Sequence, residues 1–182
     1  MTNRRPTLCV VAGPNGSGKT TTTIQLLNNE WAADSLYINP DNIAQEMFGD
    51  WNSPEAVLKA AEKATQMRYE CLEQGRDFVF ETVFSSPEKL EFLKKAKEAG
   101  FFIRFFYVCT SDPSINVARI TQRYLNGGHE VPISKVISRY YPEYFVLKNK
   151  KVRNFNTIPL VIREKSVNFV VSNYKTPHNV QS

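Results

Sequence analysis

Along the chain, short runs of β-branched and aromatic residues alternate with longer stretches in which apolar positions return every three or four residues. The runs are TLCVVA (7–12), SLYIN (35–39), FVFE (78–81) and FFIRFFYV (101–108). Runs this short and this apolar predict strands buried on both faces, the reading typical of parallel sheets, with the helical stretches between them as crossovers. The order predicts an α/β class with helices covering a parallel sheet. Phe101, Phe102, Phe105 and Phe106, grouped around Arg104, are assigned to its core.

Helix punctuation agrees. Ser53-Pro54-Glu55, Ser86-Pro87-Glu88 and Asp112-Pro113 each offer a capping oxygen followed by a proline, whose missing N–H is harmless at the first helical position. Gly75 and Gly100 are expected to end the first two of these helices. A further helix is expected over 133–149 with a bend at Pro142, and 158–172 (IPLVIREKSVNFVVS) reads as two strands joined near Glu164-Lys165. The whole, 1–182, is expected to be one domain, with the segment 174–182 frayed.

Composition narrows the class. With 42% hydrophobic and 23% charged residues, the 182-residue chain is ordinary globular material, and its apolar runs fall well short of the ~20 residues that span a bilayer. No membrane association is expected. Cys9, Cys71 and Cys109 form no CxxC pair, which fits reduced thiols in a cytoplasmic protein. The net charge of +5 is uneven: 119–165 holds ten Lys/Arg against three Glu, so the positive field belongs to the second half. That field suits either a polyphosphate or a nucleic acid.

The strongest motif is Gly13-Pro14-Asn15-Gly16-Ser17-Gly18-Lys19-Thr20-Thr21, a G-x-x-x-x-G-K-[ST] loop that follows a predicted strand and opens a predicted helix. Gly16 and Gly18 let backbone N–H groups turn inward around phosphate oxygens, and the helix N-terminus adds partial positive charge. Lys19 reaches the β- and γ-phosphates of a nucleoside triphosphate, ATP or GTP, and the Thr20 hydroxyl is a ligand for Mg²⁺.

Two carboxylates follow at the C-terminal edge of the sheet, where ligands bind in open α/β folds. Asp41, in NPDNIA, is placed to orient or deprotonate an acceptor hydroxyl, or else to cap a helix starting near Asn42. Glu81, in Glu81-Thr82, would hold Mg²⁺ through water, grip the acceptor, or pair with a lysine. Arg119, Arg123 and Arg139 flank Gly127-Gly128-His129-Glu130-Val131-Pro132, and a helix–glycine loop–helix lid over 119–145 would close arginines over a triphosphate. For Arg119 a surface salt bridge is the favoured reading.

GPNGSGKTT, NPDNIA, FETVFSS and QRYLNGGHEVPISKVISRYY together resemble the zeta-toxin family of P-loop kinases, in the same order along the chain. The resemblance covers roughly 7–147. It implies a three-layer α/β/α P-loop kinase fold and ATP- or GTP-dependent phosphorylation of a sugar hydroxyl on UDP-N-acetylglucosamine. By motif position it makes Lys19 the P-loop lysine, Asp41 the catalytic base, Glu81 (with Thr82 beside it) an acceptor contact, and Arg123 and Arg139 the phosphate-binding arginines. It also implies an antitoxin as a partner. The chain departs from the family's toxins in the helix before the third strand, where Ala64-Thr65-Gln66 replaces a functional glutamate.

Other kinases with lids, acting on nucleosides or polynucleotides, use similar parts. A nucleotide-switched nucleic-acid-binding protein is the reading from another class, although no basic motif interleaved with aromatics supports it. His129 has no second histidine at metal-ligand spacing, so zinc is not expected; it is a phosphate-contacting lid residue or a polar loop residue. Tyr140, Tyr141, Tyr144 and Phe145 are read as packing rather than as a base-stacking platform.

Overall fold

The computed structural model describes residues 4–30, 32–49, 53–128, 131–140, 159–164 and 167–172. Its strands are β1 (Thr7–Ala12), β2 (Leu36–Ile38), β3 (Phe78–Thr82), β4 (Phe102–Cys109), β5 (Pro159–Glu164) and β6 (Val167–Ser172), in the sheet order β2-β3-β1-β4-β6-β5. The first four are parallel, while β6 runs antiparallel to both β4 and β5. The helices are α1 (Lys19–Leu27), α2 (Pro40–Phe48), α3 (Pro54–Gln74), α4 (Pro87–Glu98), α5 (Pro113–Leu125) and α6 (Ile133–Ser138).

Every residue of β1 is buried, because alternate side chains serve opposite faces of the sheet. Leu8, Val10 and Ala12 join Phe78, Phe80 and Phe92 with the buried faces of α2, α3 and α4. Cys9 and Val11 join Val79, Phe106 and Val108, covered by Leu26 and Leu27 of α1. Helices therefore lie on both sides of the sheet, giving the expected three-layer α/β/α arrangement. Of the four grouped phenylalanines, Phe101, Phe105 and Phe106 are buried and Phe102 is partly buried, its ring lying 5.4 Å from the Arg104 guanidinium. The described cysteines are free thiols, and burial pushes that of Cys9 far up.

Two local expectations change. Ser53 and Asp112 cap α3 and α5, with the Asp112 carboxylate accepting from the Ser114 amide at 2.7 Å, but the Ser86 side chain does not cap α4. There the Lys89 amide, the usual target of such a cap, donates instead to the Ser86 carbonyl at 3.2 Å. The helix expected over 133–149 stops at Ser138, where a three-residue bond from the Tyr140 amide to the Ile137 carbonyl tightens the chain into a turn. Pro142, Tyr141, Tyr144, Phe145 and the tail 174–182 lie outside the described residues. The Tyr140 hydroxyl donates to the Thr110 carbonyl, tying the turn after α6 to the end of β4.

Because β1 sits between β3 and β4, the loop leaving it emerges between two other strand ends. Gly13 continues the pairing by donating to the Thr82 carbonyl at 3.1 Å, and a Cβ there would run into the Val108 carbonyl. Its φ of 152° compounds the restriction. Gly13→Ala is therefore expected to cost about 3 kcal/mol through overpacking and backbone strain, a fall in Tm of roughly 6–12 °C in a thermal melt. An unchanged Tm would show that β4 yields at no cost.

Candidate active site

The loop between β1 and α1 turns on glycines. Gly16 and Gly18 have φ of 77° and 97°, left-handed values that residues with a Cβ adopt at a cost, and Gly18 is the N-cap of α1. A Cβ on Gly16 would stand 2.7 Å from the Asn116 carbonyl oxygen, so α5 packs directly on the loop. Asn116 is fully buried; its amide donates to the Asn15 carbonyl at 2.7 Å and its carbonyl accepts from the Thr110 hydroxyl. This side chain clamps the loop to the end of β4. Sequence reading missed it, and its one signal was an asparagine on the apolar stripe of α5, beside Ile120.

Lys19 opens α1 and folds back, Nζ donating to the Pro14 carbonyl at 3.0 Å. Burial pulls its ammonium down to about 8, with Glu81 and Asp41 working against that shift and Arg123 and Arg139 adding to it. All four of these neighbours were selected from sequence, and the fold gathers them around one nitrogen.

Glu81, near the end of β3, accepts from Thr20 Oγ1 at 3.0 Å and from the Tyr37 hydroxyl, which in turn accepts from Asn39 Nδ2 at 2.8 Å. The carboxylate thus pairs with hydroxyls, and the lysine ion pair considered as an alternative does not form among the described residues. Burial and the Glu81 charge push the Tyr37 phenol far up, so it stays a hydrogen-bond donor. Asn39 also caps α2, its Oδ1 accepting from the Asp41 amide at 2.9 Å. Asp41 is therefore not the cap: α2 begins at Pro40, and the exposed Asp41 side chain in its first turn faces the cavity. Thr82 Oγ1 accepts from the Phe84 amide at 3.0 Å, fixing a turn in which Phe84 takes the left-handed φ of 54°.

The glycine-containing connection after α5 brings the second half of the chain over this site. Ile120, Val131 and Val136 form a small core of their own with Val117, holding α5 and α6 together. Arg119 Nη1 donates to the Gly16 carbonyl and Arg139 Nη1 to Asn15 Oδ1, each at 3.4 Å. Arg119 thus faces the loop, and the surface salt bridge that was its reading from sequence does not form among the described residues. His129 and Glu130 lie outside the described residues.

One cavity of about 720 Å³ receives all of these groups: the loop from Asn15 to Thr22 apart from Ser17, then Asp41, Glu81, Thr82, Arg119, Arg123 and Arg139. Thr65, Arg68 and Lys89 line it as well; sequence reading named Thr65 only within the stretch that replaces a glutamate and passed over the other two. A signal existed for Arg68. It continues the four-residue spacing of the buried Ala56, Ala60 and Ala64 on α3, so an arginine stands where that stripe calls for a small apolar residue.

The donor set suits a hard cation shared with phosphates. Thr20 Oγ1 and the Glu81 carboxylate, already 3.0 Å apart, are the oxygen ligands with which Mg²⁺ is held when it keeps waters and phosphate oxygens in its shell. Among the described residues no group of three His, Cys, Asp or Glu side chains forms a metal cage, and no helix is long and apolar enough to cross a membrane.

The chain is similar to known proteins in sequence and in fold. The family model for zeta toxin matches residues 1–171. An uncharacterised protein of Haemophilus influenzae is 32% identical over 128 residues, which is 70% of this chain and 88% of that one. A chain of the Pnkp1/Rnl/Hen1 RNA repair complex superposes with a TM-score of 0.64 at 19% identity, over 90% of this chain and 51% of its own. A chain of the PezAT chromosomal toxin–antitoxin system of Streptococcus pneumoniae superposes at 0.56 with 15% identity, over 77% of this chain and 62% of its own. At these identities the two structural matches report the fold.

The lowered Lys19 carries a linkage prediction. In the free protein the ammonium opposes folding below about pH 8, and this cost is relieved as pH rises from there toward the ordinary lysine value. A phosphate beside Nζ favours the charged form. Binding of ADP, with no divalent ion present, is therefore expected to take up a proton at about pH 9 and to weaken as pH rises past 8. Calorimetry in buffers of different ionisation enthalpy measures the uptake; none at that pH, with affinity flat, would remove Lys19 from the phosphates.

Proposed function

The chain belongs to the zeta-toxin family of P-loop kinases, and from that premise we propose that it transfers the γ-phosphate of ATP or GTP to a hydroxyl of a nucleotide-activated sugar such as UDP-N-acetylglucosamine. The observation that carries the reading is the shared cavity, in which the phosphate loop and Lys19 meet Asp41, the arginines and Glu81.

On this reading the loop amides and Lys19 hold the β- and γ-phosphates, and Arg123 and Arg139 from the α5–α6 unit cover the γ-phosphate as charge spreads over its oxygens. Asp41 orients the acceptor hydroxyl and takes its proton as the new O–P bond forms and the bridging bond to the β-phosphate breaks, releasing the nucleoside diphosphate. Orientation contributes most here, because a loose phosphoryl transition state asks little of the base. Glu81 and Thr82 line the acceptor side. When bound by Thr20 and, through water, by Glu81, Mg²⁺ supplies charge neutralisation at the phosphate oxygens. The single domain, its lid and a blocking antitoxin partner belong to the same proposal.

Incubation with labelled ATP and a panel of UDP-sugars, nucleosides and 5′-hydroxyl oligonucleotides, followed by mass and attachment-point analysis, tests the acceptor class. A labelled oligonucleotide with unlabelled UDP-sugars would replace the sugar by a polynucleotide end. Asp41→Asn is expected to lower turnover by about 10² to 10⁴-fold while ADP affinity stays within about twofold. Full turnover in that variant would end the role given to Asp41.

A further inference from the structure

The acceptor side of the cavity holds two cations that the reaction as described does not use. Arg68 sits in the middle of α3 and is only 5% exposed. Its guanidinium lies 5.2 Å from the Phe80 ring centre and 5.7 Å from that of Phe92, stacked and held rather than solvated. It makes one hydrogen bond, from Nη2 to Thr65 Oγ1 at 2.8 Å, and no ion pair among the described residues. An arginine carries five donors in a planar fork, so most of this fork is uncommitted where it lines the cavity.

Lys89 lines the same cavity from the first turn of α4, the end of a helix where its dipole disfavours a cation. Its side chain is 23% exposed, and its ion pair is a 3.5 Å contact with the largely solvated Glu88. Burial and then the neighbouring Arg68 charge lower the Lys89 ammonium, and burial lowers Arg68, while the Glu88 carboxylate works against both shifts without cancelling either. Two like charges, each desolvated and one at an unfavourable helix end, cost folding free energy that an anion lodged between them offsets.

We propose that Arg68 and Lys89 form an anion subsite on the acceptor side of the cavity, and that the alcohol phosphorylated by this protein carries a phosphate of its own, seated on that pair. The inference rests on the kinase reading above and deepens it. The Arg68 fork matches two phosphate oxygens at once, Lys89 adds a point charge, and the Phe80 and Phe92 rings fix the fork before the ligand arrives. A sugar phosphate monoester and the diphosphate of a nucleotide sugar share this chemistry.

The test fills the donor half first. Protein saturated with a non-hydrolysable ATP analogue and Mg²⁺ is titrated with inorganic phosphate in a calorimeter. One phosphate is expected to bind, with affinity weakened at least about 10-fold in Arg68→Gln and in Lys89→Gln and, because a lysine keeps the charge but loses the fork, by about 3- to 10-fold in Arg68→Lys. In turnover, UDP-N-acetylglucosamine or N-acetylglucosamine 1-phosphate is expected to exceed N-acetylglucosamine at least about 100-fold in kcat/KM, and whichever of the two is used separates diphosphate from monoester. Lys89→Gln, at a partly exposed position, serves if Arg68→Gln fails to fold. Loaded protein that binds no phosphate, glutamine variants that bind it undiminished, or equal turnover of the sugar and its phosphates would each overturn the subsite while leaving the kinase reading intact. Failure of the ATP analogue to bind would overturn both.

Discussion

Lys19 is held in a cavity with more positive than negative charge around it, and the arrangement of the site follows from that imbalance. The cavity sets Arg68, Lys89, Arg119, Arg123 and Arg139 against Asp41 and Glu81, and at the Lys19 ammonium, where the two carboxylates oppose Arg123 and Arg139, burial outweighs every pairwise effect. A charge placed this way is satisfied by a ligand that brings several negative oxygens at once. The other arginines ride on α5 and the turn after α6, where Arg119 and Arg123 are exposed and partly screened and where Ile120, Val131 and Val136 form a small core of their own.

The sheet supplies what the cations cannot, which is register between the two carboxylates. Glu81 lies one residue from the end of β3 and accepts from Tyr37 on the adjacent β2; Tyr37 accepts from Asn39, and Asn39 caps the helix whose first turn carries Asp41. One chain of hydrogen bonds therefore runs from Thr20 in the phosphate loop through Glu81 to the start of α2. Coupled polar groups of this kind hold one geometry because each partner's loss would strand the next. The Asn39 cap also leaves the Asp41 carboxylate uncommitted to α2, so the side chain that faces the cavity is not the side chain that caps the helix.

The parts legible in the sequence are those in which one residue type has one physical use. Gly16 and Gly18 before Lys19 announce a left-handed turn around an anion, and the strand limits of β1 were readable because every position in it is apolar or small. Where a residue has two uses, position in the chain did not choose between them. Asp41 read as a base or, less favoured, as a cap, and the three-dimensional placement of Asn39 removes the cap. Ser86 carried the sequence mark of a cap, yet a backbone carbonyl took the amide it would have served. Asn116 and Arg68 were hidden for the opposite reason: each lies on a buried helix face, and its partners are 101 residues away in the phosphate loop or across the α3–α4 interface, separations that no local pattern encodes.

The two ends of the cavity hold their charges by different means, and this bears on where selectivity resides. At the donor end Arg119 and Arg123 stand on the exposed face of α5, and Arg119 and Arg139 reach the loop through single long contacts at 3.4 Å, so their position depends on how the α5–α6 unit sits. Such groups adjust to a phosphate chain whose shape is the same in every triphosphate. At the opposite end Arg68 is fixed by Phe80, Phe92 and Thr65 inside the main core, and Phe84, beside the same wall, is locked in a left-handed turn against Phe105. A rigid wall rejects a misfitting ligand because it cannot relax toward it, whereas an adjustable one accommodates. On the proposed reading, in-line transfer requires the acceptor oxygen to be placed within a few tenths of an ångström, a demand that the fixed wall meets and the adjustable arginines do not.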